Sequence, residues 1–219
     1  MNIEQARINM IENQIRAGGV RSQDVLDLFA AVKREHFVPN AYRNLAFSEI
    51  EIPLPYGENM LTPRMEGLIL EAIAVRRQER VLEIGAGSGH MAALLAQKAL
   101  HVTTVEIEPL LKERAEKNLD DYGIFNVDVM LGNGAQGWDD ADNALYDAIV
   151  ISGSLPELPD AFLRKLAPGG RLFAFIGDTP FIKAQLVRRP AHAGFETITL
   201  FETTVRPLHG QAMTSRFHF

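Results

Sequence analysis

The residues best suited to chemistry lie in one stretch, Leu82-Glu83-Ile84-Gly85-Ala86-Gly87-Ser88-Gly89. Its glycines follow an apolar run and precede a helical pattern, so the chain can turn sharply there. A ligand can then touch the backbone with no Cβ in the way. Two kinds of ligand compete for such a loop. The dinucleotide fingerprint G-x-G-x-x-G seats a pyrophosphate at the helix N-terminus. Here the spacing is G-x-G-x-G, and His90 stands where the third dinucleotide glycine belongs. Glu83 precedes the first glycine by two residues, and a carboxylate there would repel a pyrophosphate. It suits a ligand carrying a sulfonium and an ammonium, because opposite charge offsets their desolvation. S-adenosylmethionine is such a ligand.

Glu106 closes a second apolar run, in Val105-Glu106-Ile107-Glu108. A carboxylate at a strand end can accept hydrogen bonds from both hydroxyls of a ribose. Glu108 reads as a solvated neighbour. Leu131-Gly132-Asn133-Gly134 ends a third run and can meet an adenine edge. The expected cofactor set is therefore Glu83, Gly85, Ala86, Gly87, Ser88, Gly89, Glu106, Ile107, Gly132, Asn133 and Gly134. An NAD- or flavin-binding domain, or a glycine turn with no ligand, are the competing readings. Three loops at the ends of three parallel strands match the crevice rule for open α/β sheets.

These loops need elements to hold them. From Arg80 onward, apolar runs at Val81–Ile84, Val102–Val105, Val127–Leu131, Ala148–Ile151 and Leu172–Ile176 alternate with helical patterns at Met91–Ala99, Leu110–Leu119 and Leu158–Leu166. That rhythm predicts an α/β fold, a mostly parallel sheet with helices on both faces, and with the Leu82–Gly89 loop it points to the Rossmann-like S-adenosylmethionine-dependent methyltransferase type. Leu186–Val187 and Ile198–Phe201 predict a final, more exposed strand pair, antiparallel at the sheet edge. Before Arg80 the pattern is helical. Ile8, Ile11 and Ile15 share one face of a helix over 4–17, stopped by Ala17-Gly18-Gly19. Ser22 is the expected N-cap of the next helix, with Val25, Leu28, Phe29 and Val32 at helical spacing. Residues 37–56 read as irregular or weakly stranded. Thr62-Pro63 resembles a helix start, continued by Met65, Leu68, Ile69 and Ala72. The expected division is an N-terminal helical and loop segment, 1–79, packed on a core of 80–219.

Composition sets limits. A chain of 219 residues, 47% hydrophobic and 23% charged, can bury a sizeable core. The net charge of −6 argues against a nucleic-acid partner, which needs a basic face. With no cysteine there is no disulfide, thiolate metal site or Cys nucleophile, and no metal site is expected. The mixed-charge start and the lack of a long apolar run predict a cytoplasmic protein without a membrane span.

Several stretches together resemble the protein-L-isoaspartate O-methyltransferase family. They are Arg34-Glu35-His36-Phe37-Val38-Pro39, Ile52-Pro53-Leu54-Pro55-Tyr56-Gly57, Val81 to Ala96 and Gly123-Ile124-Phe125-Asn126-Val127, then Gly132-Asn133-Gly134, Ala167-Pro168-Gly169-Gly170 and Val205-Arg206-Pro207-Leu208. The glycine loop is shared by many methyltransferases; the Phe-Val-Pro segment is more particular to this family. The resemblance implies methylation of a free carboxylate on isomerised aspartyl residues, as a repair step. After the glycine matching Gly57 the family carries Gln-Thr-Ile-Ser, whereas this chain has Glu58-Asn59-Met60-Leu61 before Thr62-Pro63. The family's active-site serine thus falls on Leu61, whose side chain can neither donate nor accept a hydrogen bond. Leu61 is expected to pack inward. Asn59 or Thr62 can replace some polar function, although Thr62 is equally explained as a helix cap. Asn133 stands where the family has Asp, and His90 where Tyr is common; a pocket wall or the surface is the expected place for His90.

A carboxylate acceptor is already ionised at neutral pH, so transfer needs positioning rather than a general base. Candidates for orienting it are the Gly57–Pro63 loop with Asn59, Leu61 and Thr62, then Ser152 and Ser154, and Arg206 and His209. Turn roles serve the two serines equally well, and a loop-anchoring role serves Arg206. Three functions remain: isoaspartyl carboxyl methylation, methylation of a changed protein or small-molecule acceptor, and a silent cofactor-binding module.

Overall fold

The computed structural model describes residues 2–139, 143–192 and 194–211. Seven strands form the main sheet: β3 (Arg80–Ile84), β4 (His101–Glu106), β5 (Val127–Leu131), β6 (Tyr146–Leu155), β7 (Leu166–Ile176), β8 (Ile182–Arg188) and β9 (Glu196–Thr203). Their order is β5-β4-β3-β6-β7-β8-β9, and a small antiparallel pair, β1 (Ile52–Pro53) and β2 (Asn59–Met60), lies outside it. Strands β3 to β7 are parallel, while β8 and β9 run antiparallel at the edge, as the alternation of Leu and Ile with Thr and Glu implied. The order reverses between β3 and β6, so the crevice for a ligand opens at the carboxyl ends of these strands.

The central strands are buried on both faces, which is why Val81, Leu82, Ala148, Ile149 and Val150 read as continuous apolar runs. Helix α4 (His90–Ala96) is buried along its whole length. Helix α5 (Pro109–Tyr122) buries only Leu111, Ala115 and Leu119, four residues apart, and pairs Lys117 with Asp121 on its wet side. Helix α6 (Asp160–Lys165) inserts Phe162 under the opposite face, beside Tyr146 and Leu166. The N-terminal segment shares the larger core, where Ile15, Phe29, Phe37 and Ile69 join Val81, Ala92 and Leu94.

Two local readings change in the folded chain. The helix expected over 4–17 is α1 (Ile3–Met10) followed by a π-helical stretch, Ile11–Arg16, in which the Ala17 amide reaches back five residues to Glu12 at 3.3 Å. Ser22 does occupy the N-cap of α2 (Gln23–Ala31), but its side chain makes no capping bond. The Glu71 carboxylate instead accepts the amides of Arg21 and Ser22, at 2.7 and 3.1 Å. Thr62 caps α3 (Pro63–Ile73) as expected, its hydroxyl accepting the Met65 amide at 3.2 Å. No helix among the described residues is long and apolar enough to cross a membrane.

Candidate active site

The glycine loop leaves β3 and is fastened to β4. Gly85 donates its amide to the Val105 carbonyl at 2.8 Å, and Gly87 donates to Glu106 Oε2 at 2.8 Å. The other Glu106 oxygen accepts the amides of Ile107 and Glu108, at 2.9 and 3.1 Å. Gly87 has φ +53°, and a Cβ there would sit 3.2 Å from the Leu54 side chain.

Glu83 is completely buried beneath that loop. Thr104 Oγ1 donates to it at 2.8 Å and Ser152 Oγ at 3.2 Å. Burial pushes its pKa up to about 8; the two hydroxyls oppose the shift, and the nearby charges of Glu66 and Glu106 add to it. Burial thus favours the neutral carboxyl, and a cation placed beside it would favour the ionised form.

One cavity joins these groups, with about 850 Å³ of empty space partly open to solvent. Of the residues singled out in the sequence, Asn59, Leu61, Glu83, Gly85, Ala86, Gly87, Ser88, Glu106, Ile107, Gly132, Gly134, Ser152, Arg206 and His209 line it. Thr62, Gly89 and Asn133 do not line it. Thr62 is occupied as a cap, and Gly89 supports α4 by packing against Ala115. Asn133 donates to the Gly210 carbonyl at 2.9 Å and accepts the Ala135 amide at 3.0 Å, so its amide is occupied by the chain itself. A buried carboxyl at Glu83, a carboxylate at the end of β4 and a glycine loop beside them are the acceptors and space that S-adenosylmethionine needs. The residues fit it.

The wall facing the glycine loop is the Glu58–Leu61 stretch. Leu61 is 9% exposed and packs inward, as expected from its side chain. Asn59 lines the cavity with a buried Oδ1 that has no hydrogen-bond partner. Against this wall sits a buried cluster of Arg34, Glu66 and His90, of which Glu66 also lines the cavity. The Arg34 guanidinium pairs with Glu66 and donates to the Leu61 carbonyl at 2.6 Å, and His90 Nδ1 meets Glu66 at 2.9 Å. Burial alone would raise the Glu66 pKa, but Arg34 and then His90 outweigh it and lower the value. His90 is 1% exposed, a buried partner rather than a pocket wall or surface residue. Arg34 lies 32 residues from Glu66 and His90 lies 24 away. No local spacing could have joined them.

The C-terminal segment forms the last side. Ser154 donates its amide to the Arg206 carbonyl at 2.8 Å and accepts the Leu208 amide at 3.0 Å, which lays Leu208 against Gly85 and Gly153. The Arg206 guanidinium donates to the Gly57 carbonyl, and His209 Nε2 lies 3.0 Å from Glu58. Glu58 has its pKa raised by burial, with His209 opposing and Glu106 reinforcing. Among the described residues lining the cavity, Arg206 supplies the guanidinium and there is no lysine.

The family model described as Protein-L-isoaspartate(D-aspartate) O-methyltransferase (PCMT) matches residues 5–212. A protein-L-isoaspartate O-methyltransferase of Methanoculleus marisnigri is 37% identical over 206 residues, covering 94% of this chain and 92% of that one. Protein-L-isoaspartate O-methyltransferase 1 of Rhodopseudomonas palustris is 42% identical over 171 residues, 78% of this chain and 69% of its own. A solved structure described as a protein-L-isoaspartate O-methyltransferase superposes with a TM-score of 0.80 at 25% identity, covering 93% of this chain and 66% of that one. A Plasmodium falciparum structure in complex with S-adenosyl-L-homocysteine shares the fold, with a TM-score of 0.79 at 20% identity over 91% of this chain and 96% of that chain.

Proposed function

The chain belongs to the protein-L-isoaspartate(D-aspartate) O-methyltransferase family, and on that membership we propose that it methylates the free carboxylate of isoaspartyl residues in damaged proteins or peptides. It is an enzyme, an S-adenosylmethionine-dependent methyltransferase. The observation that carries the acceptor reading is the shared cavity: the Glu58–Leu61 wall and the glycine loop face the same space.

S-adenosylmethionine, when bound, supplies a methyl group on a cationic sulfur. The residues of this chain bind, orient and exclude water. Glu83 balances the positive charge at one end, and Glu106 and the Gly132–Gly134 loop receive the nucleoside. An ionised carboxylate needs no base, only an in-line seat beside the methyl group. Asn59 offers a polar side chain at that seat, and Arg206 a positive charge on a wall that also carries Glu58 and His209. On this reading residues 1–79 shape the acceptor side, packed on a cofactor-binding core of 80–219.

The test is transfer of labelled methyl to an isoaspartyl peptide and to its aspartyl counterpart, with Leu61→Ser alongside. Base-labile label on the isoaspartyl peptide alone supports the proposal. Tight cofactor binding without transfer, gained on Leu61→Ser, would instead assign the wild-type chain another acceptor.

A further inference from the structure

Arg34 heads the largest fully buried side chains among the described residues, and it arrives from a short 3₁₀ turn, Arg34–His36, in the N-terminal segment. Its two terminal nitrogens point in different directions. One donates to the Leu61 carbonyl at 2.6 Å, and the other pairs with Glu66 on α3. Glu66 in turn meets His90 Nδ1 at 2.9 Å, and His90 is the first residue of α4, directly after the glycine loop. An ionised carboxylate can only accept, so Nδ1 carries the proton. The 3.3 Å approach of Arg34 to that same nitrogen is then a contact between two donors rather than a hydrogen bond.

We propose that Arg34, Glu66 and His90 are positioning residues for methyl transfer, holding the acceptor wall at a fixed setting relative to the glycine loop. Three observations carry this. First, the cluster is directed: Arg34 Nε and His90 Nε2 are buried without partners, while the remaining contacts converge on Leu61 and Glu66. Second, Leu61 has no side-chain polar group to fix its loop, so the grip on its carbonyl substitutes for one. A carbonyl held by a guanidinium cannot rotate without breaking a charge-assisted bond. Third, Glu66 lines the cavity, and its pairing cancels a negative charge that would oppose a carboxylate acceptor. If stability alone were at stake, apolar residues of similar volume would serve as well, since a buried ion pair repays its desolvation poorly. The third observation rests on the isoaspartyl reading; the first two do not.

The test uses the full chain with Arg34→Lys, which keeps the charge and loses the fork, and the double variant Arg34→Met/Glu66→Met. Cofactor binding is followed by calorimetry, methyl transfer by the KM and kcat for an isoaspartyl peptide, and loop order by hydrogen exchange over residues 57–62. Both variants are expected to fold, and Arg34→Lys to bind S-adenosylmethionine within about threefold of wild type. The peptide kcat/KM should fall about 10–100-fold, the scale of a small misplacement. Exchange over 57–62 should quicken while the central strands keep their protection. Wild-type transfer or unchanged exchange in the folded double variant would overturn the proposal, as would failure of both variants to fold. If the wild-type chain does not methylate the isoaspartyl peptide, the acceptor reading fails while the exchange measurement still decides whether the cluster holds the loop.

Discussion

Glu106 clasps Gly87: one carboxylate oxygen accepts the glycine amide at 2.8 Å across the gap between two adjacent strand ends. With the other oxygen taken by Ile107 and Glu108, the carboxylate cannot swing. The residue expected to receive a ribose thus also sets the shape of the loop beside it. Glu106→Ala should weaken S-adenosylmethionine binding by about 2–3 kcal/mol, roughly 30–150-fold, as expected for losing charged hydrogen bonds. Calorimetry reads this directly, and Glu106→Gln should lose less because one acceptor oxygen remains.

Glu83 makes cofactor binding pH-dependent. Its pKa in the free protein stands at about 8, above the ordinary value of 4.5. A bound cation favours the ionised form, so below about pH 8 binding must release a proton. Affinity should rise with pH, by up to about tenfold per unit, and level off near pH 8. Glu83→Gln should flatten that rise. For the free protein the sign is opposite: the contribution of Glu83 to folding is greatest in acid and declines as pH climbs through 4.5 towards 8. Titration calorimetry in buffers of different ionisation enthalpy would count the proton, and a proton count of zero at pH 7 would reject the linkage.

Gly89 supports the loop from behind. Its φ is +82°, and a Cβ would meet the Ala115 backbone on α5 at 3.2–3.3 Å. Strain and crowding act together there, so Gly89→Ala should cost about 1–3 kcal/mol of stability. Urea unfolding monitored by circular dichroism checks it; the midpoint should fall with little change in slope.

Arg171 joins the end of α3 to the sheet. It donates to both Glu79 oxygens at 2.7 Å and to the carbonyls of Ile73, Ala74 and Asp147. Ala74 is in the left-handed region at φ +43°, so these bonds take the place of a glycine cap. Arg171→Ala should destabilise the fold by about 3–5 kcal/mol, as for breaking a largely buried pair, with a lower thermal midpoint.

Arg206 is the guanidinium of the cavity mouth, anchored to the Gly57 carbonyl. Arg206→Ala should raise the KM for an acidic acceptor peptide several-fold, about 1 kcal/mol for a partly screened charge, and leave cofactor affinity unchanged. Steady-state kinetics beside calorimetry separates the two, and an equal loss in both would mean that Arg206 only anchors the C-terminal side of the cavity.

Much of the cofactor half was legible because it is local. A strand, a glycine turn and a helix follow one another in the chain, so Glu83, Gly85, Gly87 and Glu106 carry their positions in their spacing. The strand–helix rhythm likewise predicted the parallel sheet and its antiparallel edge. Boundaries were less clear: β7 begins at Leu166, where the sequence suggested a helix end, because Pro168-Gly169-Gly170 bulges within the strand instead of preceding it.

The sequence by itself determined the type of cofactor loop, the fold class and the unusual Leu61, all consequences of residue type and short-range order. Only the tertiary structure decided that Asn133 is occupied by Gly210, that burial raises the pKa of Glu83, and that Arg34, Glu66 and His90 share one buried site. Those three depend on burial and on contacts between segments distant in sequence. Charge, hydrogen bonding and desolvation act through space, and spacing along the chain does not encode them.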